Sequence, residues 1–167
     1  DSRTGLGRFK SFKISNYDLM MALIDYCRDH SITEILALPD VKERIDLYIE
    51  HKDQFVDQIR RCSTMHDNLV VLDLRDEDII HAGNRFMIYA LFPDCNISIH
   101  VLWGRAKQNT VFATGKSIFD RGSKTSVGEL MLKYNGGGHS AAGTCQVDND
   151  KAEQVLTELV AAITADG

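Results

Sequence analysis

The sequence lacks any apolar run approaching the roughly 20 residues that span a bilayer, so a transmembrane helix is excluded. No signal-peptide pattern opens it. Cysteine is sparse: Cys27, Cys62, Cys95 and Cys145 lie far apart and form no C-x-x-C pair, which signals neither a zinc site nor a disulfide framework. Reduced thiols in a cytoplasmic protein are the expectation. Positive charge is in deficit, with 19 Lys and Arg against 24 Asp and Glu and a formal net charge of −5. Such a balance argues against wrapping a nucleic-acid backbone, yet a nucleotide or an oligonucleotide end could bind at a local basic spot. Internal repeats, low-complexity tracts and charge blocks are absent. The chain opens on Asp1 rather than Met, which suggests a fragment cut from a longer protein or else a processed product.

What remains is an ordinary globular composition, and 167 residues can bury one core, with or without a helical appendage. From Ser15, an N-cap, the positions Tyr17, Met20, Met21, Ile24 and Cys27 follow helical spacing to an end near Ser31. Ile32 to Leu38 is a short apolar segment leading to Pro39. Val41, Ile45, Tyr48, Phe55, Ile59 and Cys62 then step in threes and fours, interrupted by Lys52. One helix through about Met65 would be roughly 38 Å long. It could bridge two domains, form a homodimer contact or lie along its own sheet.

Asn68 to Leu74 reads as a buried strand, and helix signals return over Asn84 to Leu91. Ile97, Ile99, Val101 and Trp103 alternate with Ser98, His100 and Leu102, which predicts a strand with one strongly apolar face. After the polar turn at Lys107 to Asn109, Val111 to Gly115 begins an antiparallel partner. Cys145 to Val147 is a last short strand. Ala152, Val155, Leu156, Leu159, Val160 and Ile163 form the stripe of a final helix suited to covering a sheet. The fold class is α/β.

The chemistry concentrates in Asn135-Gly136-Gly137-Gly138-His139-Ser140-Ala141-Ala142-Gly143. Consecutive glycines bring bare N–H groups close to an anion. Ser126 and Glu129 resemble a capping box opening a helix through Tyr134, so the glycines fall at its end, where a plain C-cap and loop is the alternative. Ser140 to Ala142 could begin a further helical turn. His139 can donate to a phosphoryl oxygen or move a proton near neutral pH.

A second cluster, Lys116, Ser117 and Arg121, follows Ala113-Thr114-Gly115. It is no nucleotide-triphosphate P-loop, because that motif needs a glycine five positions before Gly115 and Thr110 stands there. Lysine, hydroxyl and guanidinium could still grip a phosphate, unless the group is only a solvated strand end. The two clusters are separated by one short helix and can converge.

These residues carry a resemblance. Phe112 to Arg121, Val127-Gly128-Glu129-Leu130-Met131, and Asn135 to Val147 with its G-G-G-H signature resemble the DHH-associated domain of the DHH phosphoesterase superfamily, over roughly residues 68 to 165. The likeness is to bacterial exopolyphosphatase-related and nanoRNase-like proteins. It implies a mixed, partly antiparallel sheet covered by helices over 67–167, preceded in 1–66 by the end of a metal domain and a helical linker. It also implies a hydrolase acting on phosphodiester, short oligonucleotide or polyphosphate substrates with manganese, through an attacking water held between two metals. In that scheme Gly136, Gly137, Gly138 and His139 hold the scissile or an adjacent phosphate, and Lys116, Ser117 and Arg121 hold the rest of the substrate.

The superfamily's Asp-His-His motif is missing, for Asp29-His30 is followed by Ser31. The opening segment from Asp1 to Phe9 resembles the end of the metal domain, where Asp1 would be a last metal ligand, or else forms a structural arm. One aspartate cannot hold a hard divalent ion. The chain alone is therefore expected to be catalytically silent and not to hold manganese fully, and to be the substrate-binding part of a longer enzyme. The alternatives are a non-catalytic nucleotide- or phosphate-binding module and a dimerisation unit built on the Val41 to Cys62 seam.

Overall fold

The computed structural model describes Leu6 and residues 9–167; Asp1 lies outside the described residues. The chain divides into two compact units, the first ending at Asp57 and including Ile79–Gly83, the second formed by Gln58–Asp78 and Asn84–Gly167.

The first unit is helical. Helix α1 (Asn16–Asp29) starts where Ser15 Oγ accepts from the Asp18 N–H at 3.0 Å. Of its apolar residues Leu19 is buried, whereas Tyr17, Met20, Met21 and Ile24 are exposed. Ile32 to Leu38 is more than an apolar connector: Ile32–Ala37 forms α2, opened by a capping box in which Ser31 Oγ accepts from the Glu34 N–H and the Glu34 carboxylate accepts from the Ser31 N–H. The long helix expected from Pro39 is broken. Pro39–Glu50 is α3 and Lys52–Cys62 is α4, divided at His51 (φ −81°, ψ −7°), whose N–H still returns to Leu47 O at 3.3 Å and whose carbonyl accepts the Phe55 N–H at 2.9 Å, beside the Lys52 that interrupts the apolar seam. Ser63 to Met65 is strand.

The second unit is an open six-stranded mixed sheet in the order β1-β2-β3-β4-β6-β5. Its strands are β1 (Ser63–His66), β2 (Leu69–Asp73), β3 (Ile97–Trp103), β4 (Thr110–Lys116), β5 (Gly137–His139) and β6 (Ala142–Val147). Only β2 and β3 pair in parallel, and the connection between them carries helix α5 (Met87–Leu91). β1 and β5 are the edges.

Alternation along the strands makes the two sides of this sheet unlike. On one side Leu69, Val71, Ile97, Ile99, Val101, Phe112 and Cys145 pack with Val127, Leu130 and Met131 of α6 (Val127–Leu132) and with Ala152, Val155, Leu159 and Ile163 of α7 (Ala152–Asp166). Side chains such as Ile99, Phe112 and Leu159 are fully buried, each stabilising the fold by about 1.5–3 kcal/mol. The stripe read for the last helix is the one that faces this core. No helix among the described residues is long and apolar enough to cross a membrane.

Around the glycines the local structure departs from the sequence reading twice. Ser126 makes no side-chain cap, and the helix is stopped by Asn135 in the left-handed region (φ 57°) rather than by a glycine, with the Gly136 N–H returning to Met131 O at 2.9 Å. Ser140 to Ala142 begins no helix. Ser140 and Ala141 turn the chain between β5 and β6, because each residue from Gly137 to His139 finds an antiparallel partner in β6.

Candidate functional site

The other side of the sheet carries small and polar side chains at its centre. Register places Ser98, Gly115, Ala142 and His139 in one row across β3, β4, β6 and β5, and His100, Ala113, Thr144 and Gly137 in the next. These residues floor a cleft of about 730 Å³. Four strands about 4.8 Å apart separate His100 from the β5 end by about 14 Å.

The two clusters singled out in the sequence meet there. Lys116, Ser117, Arg121, Gly137, Gly138 and His139 all line the cleft; Gly136 does not. The glycines have different reasons. A Cβ on Gly136 would come within 2.2 Å of Thr144 O and 2.6 Å of Cys145 Cβ, so its bareness serves backbone packing against β6. A Cβ on Gly138 would reach Ala142 O at 2.2 Å, and one on Gly128 of α6 would reach Gly138 O at 2.8 Å. Gly137 and Gly115 meet nothing within 4 Å. Both line the cleft, so the protein itself does not demand their bareness, and the space belongs to whatever enters.

His139 is exposed, and its Nδ1 accepts the Ala141 N–H at 3.2 Å. That bond assigns the neutral ring's proton to Nε2, leaving a donor for a ligand. Ser117 is buried, and its Oγ accepts from the Phe119 and Asp120 N–H groups at 3.1 and 3.2 Å, while its own N–H is anchored on Asn96 O at 2.7 Å. The hydroxyl thus shapes the loop after β4 and keeps its proton to donate. Lys116 Nζ donates one of its three protons to Ser123 O at 2.9 Å, bracing the same loop. Arg121 is exposed at the rim.

The β3 end is built from residues that the sequence reading did not assign to a site: Arg85, Phe86, Tyr89, Ser98 and His100. Asn84 sets the first two, since Asn84 Oδ1 accepts the Phe86 N–H at 3.0 Å and Asn84 O the Met87 N–H at 2.9 Å, a turn that starts α5. The Arg85 guanidinium lies 4.8 Å from the centre of the Phe86 ring. Tyr89 Oη donates to Gly115 O at 2.5 Å and lies 2.8 Å from Ser98 Oγ, tying α5 to the cleft floor, and burial pushes its phenol above the usual range. Burial, and secondarily the Arg85 charge, pulls His100 down to about 4, so the ring is neutral at physiological pH. Ser98 and His100 were visible as the polar members of an alternating strand. Arg85, Phe86 and Tyr89 left no sequence signal, because only the chain's return along α5 brings them to the sheet.

Every ionisable side chain among the lining residues other than the Tyr89 phenol is basic: Arg85, Lys116, Arg121 and the two histidines, with no Asp or Glu. On a chain of net charge −5 this is a local reversal of sign, suited to an anion that also presents a flat or apolar part to Phe86. Metal chemistry is not supplied here, for among the described residues no group of three or more His, Cys, Asp or Glu is placed to hold an ion. Those residues do not fit a two-manganese site.

No family model and no curated protein matches the sequence. Among solved structures, the pGpG-specific phosphodiesterase PggH from Vibrio cholerae is 64% identical over the whole of this chain, with a TM-score of 0.88. An exopolyphosphatase-related protein from Bacteroides fragilis shares the fold at 13% identity and a TM-score of 0.57 over 90% of this chain. The chain spans 57% of the first protein and 44% of the second.

Proposed function

Taking as premise that the chain belongs to the DHH phosphoesterase superfamily and carries its DHH-associated domain, we propose that it is the substrate-gripping part of a phosphodiesterase acting on short oligonucleotides, of which pGpG, the substrate named for its 64% identical relative, is the first candidate. The observation that carries this is the acid-free cleft: three fixed cations and two imidazoles around a floor left bare at Gly115 and Gly137. A phosphate sits at the β5 end, receiving the His139 Nε2 proton, with Lys116 and Arg121 supplying charge and Ser117 a hydroxyl proton. Gly136 supports this grip indirectly, by letting the β5 strand pack against β6. The remaining length of the cleft takes the nucleoside. When bound, manganese would activate water for attack on phosphorus, on ligands that the described residues do not contain. The 167-residue chain alone is accordingly a binder and not a catalyst.

Calorimetric titration of the 167-residue protein with pGpG tests the reading. Saturable binding that falls in His139→Ala is expected. Absence of binding overturns it, and manganese-dependent turnover at the rate of a whole enzyme overturns the assignment of catalysis elsewhere.

A further inference from the structure

We infer that the β3 end of the cleft is a seat for a guanine base, with Arg85 donating to the base's O6 and N7 and the Phe86 ring beside it offering a surface for stacking. The inference rests on the reading of the β5 end as a phosphate site and adds what that reading leaves open, namely how the protein tells one nucleotide from another. Hydrogen-bonding complementarity leads to it. The Watson–Crick edge of guanine presents the donors N1–H and N2–H2, whose bidentate side-chain partner is an Asp or Glu carboxylate, and no carboxylate lines the cleft. The opposite edge of guanine presents only acceptors, O6 and N7, and an arginine fork matches that pair; adenine puts an amino group where O6 would be and meets the same fork donor to donor.

The seat is also fixed in place. Asn84 holds the backbone of Arg85 and Phe86 in the turn that starts α5, and the guanidinium lies 4.8 Å from the Phe86 ring centre, so a cation and an aromatic ring are presented together. Tyr89 has committed its proton to Gly115 O and serves as wall and strut. His100 lies in the floor as a neutral imidazole, offering one donor and one acceptor without attracting a second phosphate to this end. The separation of about 14 Å between the two ends of the floor leaves room for a base at one and a phosphate at the other.

The test titrates the 167-residue protein with pGpG, pApA and inorganic tripolyphosphate, as wild type, Arg85→Ala and His139→Ala. Wild type is expected to prefer pGpG over pApA by about tenfold or more, the scale of one bidentate base contact. Arg85→Ala, an exposed site whose loss leaves the melting temperature in place, should bring that ratio close to one while tripolyphosphate binding changes less than pGpG binding. His139→Ala should weaken all three together. Equal affinity of wild type for pGpG and pApA, or an Arg85→Ala effect of the same size on all three ligands, overturns the guanine seat while leaving the phosphate site standing. Failure of wild type to bind any of the three overturns both.

Discussion

Alanine at Gly136 and alanine at Gly137 add the same methyl group to adjacent residues, yet the surroundings assign the two substitutions opposite outcomes. At Gly136 the new Cβ would lie 2.2 Å from Thr144 O, 2.6 Å from Cys145 Cβ and 2.8 Å from Cys145 Cα. Two of these are backbone atoms of β6, so the strands must part by about 1 Å, and overpacking of this kind costs about 1–3 kcal/mol. For a domain of this size each kcal/mol moves the melting temperature by about 2–4 °C, which predicts a fall of about 2–12 °C. At Gly137 nothing lies within 4 Å, so alanine costs no contact and can stabilise by about 0.4–1 kcal/mol through the unfolded chain. A melt with and without pGpG reads both effects, because a ligand at about 100 times its dissociation constant adds about 2.7 kcal/mol to the wild type. Gly137→Ala should melt at or slightly above the wild-type temperature and lose most of the ligand-induced rise. Gly137→Val should lose all of it. A Gly137→Ala melt as low as that of Gly136→Ala, or a full ligand-induced rise in Gly137→Val, would refute the claim that this glycine is bare for a ligand.

His139→Ala should lower phosphate-ligand affinity by about 1–3 kcal/mol with little change in melting temperature, since the exposed ring's intramolecular bond among the described residues is to the Ala141 N–H; unchanged calorimetric affinity removes it from the site. His100 is held at about 4 by burial and the Arg85 charge, below the 6.5 of the unfolded chain, so its effect on stability is nil above pH 6.5 and becomes a loss as pH falls from 6.5 to 4, where only the unfolded chain takes the proton. Denaturation across that window should show His100→Gln losing about 1–3 kcal/mol less than wild type, and parallel curves would contradict this. Cys27 is exposed whereas Cys95 and Cys145 are buried, and burial raises Cys145 to about 11, so a thiol reagent should label Cys27 at once and the other two only on unfolding. Arg75 bonds Asp73 through Nε at 3.0 Å and Glu153 through a terminal nitrogen at 2.6 Å, joining β2 to α7; Arg75→Met should cost about 1 kcal/mol in urea unfolding.

How much of this could be read in advance depended on the range of the signal. β3, β4 and α7 were legible because burial on one side imposes a period of two or of 3.6 over seven or more residues. β1 and β5 were not, being four and three residues long and lying at the edges, where the polar and glycine residues they carry imitate turns. The capping box of α2 stood in the sequence as Ser31 and Glu34, but six residues are too few to display a stripe. In the site, Lys116, Ser117 and the glycine segment share a short stretch of chain and could be read as motifs. Their partners across the cleft are 16 or more positions away in sequence and depend on the parallel β2–β3 crossover, which no local pattern encodes.

The sheet's two borders set a limit on self-association. Each is shorter than the five or six residues of an ordinary strand, and β5 consists of two glycines and a histidine with α6 lying close against it at Gly128. A strand arriving from another molecule would find few edge amides in register, so growth by sheet extension, a common path from folded monomer to fibre, is disfavoured at both borders. The same brevity that hides these strands from a reader of the sequence keeps the cleft beside β5 open to a small anionic guest instead of another copy of the chain.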